Sequence, residues 1–176
     1  MRTRRIIGST VTLLIALNAL PADAAAQTAS NTISATPSAD QLQERATALH
    51  DQIGRYSEAA RLYKESAALR AETDPRAVES LAMAAHLYHY ANRLFDARKT
   101  MEQAARRALA RGDVVRASHA NLEAALFAHK QGNQAQAGRL GRTALKLADS
   151  PLLTDEQRAA IVNRVRSNPA IALLVD

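Results

Sequence analysis

The 176-residue sequence predicts an all-α protein: an array of about three antiparallel helix pairs closed by a C-terminal capping helix. Three observations carry this. A segment recurs, Gly54-Arg55-Tyr56-Ser57-Glu58-Ala59 aligning with Asn92-Arg93-Leu94-Phe95-Asp96-Ala97 and with Gly132-Asn133-Gln134-Ala135-Gln136-Ala137 at offsets of 38 and 40 residues. A near-constant period of that size marks a helical repeat array. Apolar residues then fall on single helical faces, as Leu81, Ala84, Ala85 and Tyr88 do at i, i+3, i+4 and i+7. Finally, aromatics make up only 3% of a chain that is 47% hydrophobic, and a core of Ala and Leu calls for closely packed helices rather than a sheet.

Arg2, Arg4 and Arg5 precede an apolar run from Ile6 to Leu20, and Pro21 leads into Ala22-Asp23-Ala24-Ala25-Ala26. This is the layout of a secretory signal peptide over 1–26, with cleavage before Gln27 or before Ala25. The run is short for a membrane span of about 20 residues, and no second stretch could cross a bilayer. A periplasmic or secreted protein follows. The sequence contains no cysteine, which excludes a disulfide, a thiolate metal site, a cysteine nucleophile and an N-terminal lipid anchor on cysteine. Residues 27–39, rich in Ser, Thr, Ala and Asn, read as a disordered linker.

The repeat domain spans 40–176, with repeats at 40–75, 76–112 and 113–150. Its pattern predicts helices at 40–52, 57–72, 76–91, 95–111, 113–131 and 134–148, and a capping helix at 155–167. Asp74-Pro75 and Ser150-Pro151 break helices because proline disfavours helical geometry in the residue before it. Gly112-Asp113 supplies a C-terminal glycine and an N-capping carboxylate. Thr154-Asp155-Glu156-Gln157 is a capping box. Ile161, Val162 and Val165 give the capping helix a single apolar stripe, with Arg158, Arg164 and Arg166 on the wet side. Ile171 to Val175 is too short to span a membrane and is expected to pack back onto the capping helix.

Without residues 1–26, which hold three Arg and one Asp, 20 basic residues face 16 acidic ones, a net of +4. That is too mild for a nucleic-acid partner and suits at most weak contact with anionic envelope surfaces. The basic residues, among them Arg61, Arg70, Arg98, Arg106 and Arg139, recur on the second helix of each pair and read as a solvated outer face.

In these units Gly54, Tyr56 and Ala59, then Asn92, Leu94 and Ala97, then Gly132 and Ala137 reproduce a small turn residue followed by a bulky residue and an alanine. On those residues the chain resembles the tetratricopeptide repeat family. It departs from the family in its longer period, against the usual 34 residues, and at Gln134 and Gly141, where the family places bulky apolar residues. Helices about one turn longer would account for the period.

The resemblance implies a right-handed α-solenoid whose first helices line a concave groove holding a protein or peptide partner. Carried over residue by residue, that groove is Gln41, Glu44, Ala48, Asp51 and Gln52, then Glu79, Ala82, His86, His89 and Tyr90, then His119, Leu122, Leu126, His129 and Lys130. The second and third sets form the candidate partner-binding site. His89 and His129 occupy equivalent places in adjacent units and would be lateral neighbours, while His50 falls where the family packs an aromatic ring. The clustered histidines raise a metal-responsive alternative, but no metal ligand set or cofactor is assigned, because the required geometry is not readable from spacing. Leu153-Thr154-Asp155-Glu156-Gln157 also resembles a short motif of small periplasmic stress chaperones, giving a chaperone-like alternative. There is no phosphate-binding loop, no His-Glu-x-x-His and no Gly-x-Ser-x-Gly, and thus no enzyme reading.

Overall fold

A computed structural model describes residues 36–175; the expected signal peptide and most of the expected linker lie outside the described residues. The described residues form eight α-helices: α1 (Ala39–His50), α2 (Tyr56–Leu69), α3 (Pro75–Tyr90), α4 (Leu94–Ala110), α5 (Val114–Lys130), α6 (Gln134–Lys146), α7 (Asp155–Arg166) and α8 (Pro169–Val175). A single turn of 3-10 helix, Leu147–Asp149, follows α6. Seven helices lie where the pattern places them, within three residues at each end. The eighth was expected only as an apolar tail.

Capping chemistry sets the starts. Ser38 and Gln41 form a capping box ahead of α1, and Thr154 and Gln157 form the expected one ahead of α7. Asp74, Asp113 and Asn133 accept amides at the starts of α3, α5 and α6. The three turns between α3 and α6 share one geometry. Asn92, Gly112 and Gly132 adopt positive φ, and the next amide in each returns to the helix it leaves: Arg93 to Tyr88 O, Asp113 to Ala108 O, Asn133 to Ala128 O. This is a Schellman closure. Asn92 takes the left-handed conformation that glycine fills in the other two, as asparagine tolerates it best among residues with a side chain.

From α1 to α6 each helix packs chiefly on its predecessor and its successor. Small residues make this close. Ala59, Ala84, Ala85, Ala104, Ala124, Ala125 and Ala137 are fully buried, and larger side chains such as Leu62, Leu81, Leu87 and Met101 fill between them. A second, smaller core forms where α7 meets the start of α5: Val114, Ala148, Leu153 and Ile161. The apolar stripe of α7 is seated as expected, with Ile161 and Val165 buried.

Two arginines expected on the solvated outer face are buried instead. Arg70 donates to Asp40 at 2.6 Å and to Gln43 at 2.9 Å, and lies 3.5 Å from Asp74. Arg98 pairs with Glu102, reaches Gln131 at 3.4 Å and lies over the Phe95 ring. Both are in place because each stem covers apolar surface while the guanidinium finds a carboxylate.

The C-terminal tail also departs from expectation. It is helical and packs chiefly against α6, with lesser contact to α5 and α7. Gly138 and Gly141 admit it: a Cβ on Gly141 would stand 2.6 Å from both Ile171 Cγ2 and Val175 Cγ1, and one on Gly138 would stand 2.8 Å from Leu174 O. At Gly141, where a bulky apolar residue was expected, the bulk is supplied by Ile171, which is fully buried. Arg142 fastens the end by donating to Leu174 O at 2.7 Å.

Candidate functional site

Helices α3 and α5 face a common recess of about 290 Å³. Its floor is apolar: Val78 and Ala82 from α3, Met101 and Ala104 from α4, Ala120 from α5. Its rim is charged. Glu79 lies 3.3 Å from Arg116, and Glu123 lies 3.9 Å from Arg164 of α7. His86 and His119 stand in the walls. Two carboxylates, two guanidiniums and two imidazoles therefore surround a hydrophobic base, and the formal charges of the carboxylates and guanidiniums cancel.

Glu79, His86 and His119 of the candidate site meet here. Burial pushes the His119 imidazole below its ordinary value, and Arg164 adds to the effect. His89 lies further along α3, half-buried, its ring 5.3 Å from Phe127 and 5.7 Å from Tyr90, with Lys130 Nζ donating to its Nε2 at 2.8 Å. Burial lowers its pKa too, with Lys130 the next cause. Tyr90 is 63% exposed and stacks obliquely on Tyr56 at 5.8 Å. Rings thus run from Tyr56 through Tyr90, His89 and Phe127 to His86, which meets Phe127 edge-on at 6.1 Å.

Other assigned residues fall elsewhere. Leu122 is buried in the core at 3% exposure, not on the groove; its turn of α5 faces the neighbouring helices. Leu126 is half-buried and packs against the same core. His129 turns to Gln134 at 3.0 Å, whereas the ring of His89 is engaged by Lys130 and Phe127, so the two histidines do not share a contact. Of the first-unit set, Glu44 and Ala48 line a separate open depression with Asp40, Gln43 and Thr47. Gln41 is taken up by the α1 capping box, and Gln52 bonds back to Ala48 O. His50 is half-buried and meets Tyr63 edge-on at 6.2 Å.

Sequence pattern missed Arg116, Glu123, Phe127 and Arg164. Arg116 and Glu123 flank His119 at one helical turn on either side and were readable once α5 was known to face α3. Arg164 was not, since nothing in its own stretch tells that α7 closes the same recess. Among the described residues no three His, Asp or Glu side chains converge as metal ligands, and no helix is long and apolar enough to cross a membrane.

No protein-family model matches the chain, and no curated protein or solved structure matches it either.

Proposed function

We propose that the chain is an exported scaffold of tetratricopeptide-like repeats, a right-handed α-solenoid of paired helices, that holds a partner protein or peptide in the cell envelope. The recess between α3 and α5 carries this reading. The first helices of two successive repeat units present an apolar floor with a balanced charged rim, and a short row of rings ending in exposed Tyr90 extends the same face. An extended segment or a partner helix uses such a surface by seating a few apolar anchors and satisfying polar edges. Helix lengths of 16, 17 and 17 residues in α3, α4 and α5 account for the long period.

The chaperone-like alternative started from Leu153 to Gln157. Those residues are occupied in capping α7: the Thr154 hydroxyl accepts the Gln157 amide, and Gln157 Oε1 accepts the Thr154 amide. No second observation favours that alternative.

Crosslinked affinity purification of the tagged protein from its own cell envelope, read by mass spectrometry, tests the proposal. One or two dominant envelope proteins are expected, lost when His86, Tyr90 and Leu126 are all replaced by alanine. Capture that survives the triple substitution sinks the groove, and a broad spread of unfolded clients sinks the adaptor.

A further inference from the structure

The recess has a length as well as a composition. Arg116 and Glu123 are seven residues apart on α5, two helical turns, which is about 10 Å along the axis. The Glu79–Arg116 pair therefore marks one end of the recess and the Glu123–Arg164 pair the other. An extended peptide advances about 3.3 Å per residue, so roughly three residues span the distance between the two pairs. Both ends offer a carboxylate and a guanidinium, and the apolar floor lies between them. We infer that this recess is a binding site for free oligopeptides of about three residues with an apolar central side chain, held by their own charged termini.

Charge complementarity selects that ligand. A free tripeptide brings one ammonium and one carboxylate at its two ends whatever its sequence. The ammonium meets Glu79 or Glu123, and the carboxylate meets Arg164 or Arg116 at the opposite end. The existing ion pairs give up a partner readily, being loose and between half-exposed side chains; such pairs contribute little in water. The central side chain rests on Ala82, Met101 and Ala104. The ring nitrogens of His86 and His119 stand in the walls within the recess and can hydrogen-bond the peptide's backbone amide. A segment inside a longer chain lacks the terminal charges and meets the rim only where its side chains happen to supply them. The volume of about 290 Å³ is at the lower bound for small-ligand pockets and matches a tripeptide rather than a folded partner. The inference does not depend on capture of a protein partner.

The experiment is a titration of the full chain at pH 7.5, followed by amide and methyl NMR shifts, with Ala-Leu-Ala, its N-acetylated and C-amidated form, and Ala-Gly-Ala. Ala-Leu-Ala should bind with shifts centred on Ala82, Met101 and residues 116–123. The doubly blocked peptide and the glycine-centred peptide should each bind at least about tenfold more weakly, a step of about 1.4 kcal/mol. Ala82→Leu fills the recess from its half-buried floor, and Glu123→Gln with Arg164→Gln neutralises one end, on one half-buried and one exposed side chain; both should abolish the shifts while leaving the rest of the spectrum in place. Equal binding of blocked and free peptides overturns the inference in favour of internal segments. Absence of shifts with all three peptides overturns it outright, as does binding indifferent to Ala82→Leu.

Discussion

His119 and His89 are bases held in their neutral form, His119 by burial and then Arg164, His89 by burial and then Lys130 and His86. Glu123 opposes the shift at both, and Asp113 also opposes it at His119. Unfolded, both titrate near 6.5; folded, they take up a proton only at lower pH. Between those values the unfolded chain binds more protons, so stability rises with pH across that interval. Their contribution is complete above about pH 6.5 and is lost as pH falls through the folded values. Melting temperature should therefore decline from pH 7 to pH 5, and His119→Gln should flatten that decline. A slope unchanged in the variant would show that carboxylates dominate it. Arg98 gives a second expectation. Its guanidinium is the partner of Glu102, which is also largely buried and receives Gln136 at 3.2 Å. Replacing Arg98 with Met keeps the apolar stem but strands the carboxylate, and should cost about 3 kcal/mol in denaturant unfolding. The double change Arg98→Met with Glu102→Leu should restore most of it. Sequence pattern treated Arg98 as a surface charge, because a helical wheel cannot tell which turn of the polar face a neighbouring helix will cover.

At the scale of elements, α8 and α6 are a matched pair. Helix propensity alone says that Gly141→Ala should stabilise α6 by up to about 1 kcal/mol. In the folded chain that methyl would press on Ile171 and Val175, each 2.6 Å away, so α8 must shift or leave. The substitution is expected to destabilise the full chain, and to become neutral or stabilising once residues 169–176 are deleted. That reversal of sign in a double-mutant cycle separates docking of α8 from any intrinsic defect of α6; equal effects in both backgrounds would mean that α8 does not rest on Gly141. The same pair shows where legibility ended. Seven helices could be read because each spans at least 12 residues with an apolar stripe, and five of them open on a side-chain cap. Helix α8 has seven residues, all of them Pro, Ala, Ile, Leu or Val, so its sequence has no polar face to give a period. Its start was nevertheless encoded, as Asn168 accepts the Ala170 amide at 3.2 Å just ahead of Pro169. Gly141 looked like a defect of the repeat because its partner lies thirty residues further along the chain.

Across the whole molecule, stability should be graded along the chain, because packing passes from neighbour to neighbour and such arrays behave as coupled rows of units. Helices α3, α4 and α5 each have a packed helix before and after them. Helix α1 has only α2 as its main neighbour and buries just Leu42 and Ala46. What holds α1 is largely polar: Arg70 on Asp40 and Gln43, Ser66 on Ala39 O at 2.7 Å, and Ser80 on Gln43 at 3.3 Å. Few buried apolar contacts and much exposed backbone predict easy local opening. Native-state hydrogen exchange should therefore show α1 exchanging at the lowest opening free energy and α3 to α5 at the highest. Arg70→Ala should lower protection in α1 and the start of α3 while leaving α5 unchanged, since Asp40 is exposed and regains water when released. The recess lies between the most protected helices, so its walls should keep their spacing while α1 opens. Uniform protection from α1 to α6, with Arg70→Ala lowering all of it equally, would instead make the array one cooperative unit and remove the basis for treating α1 as separable from the recess.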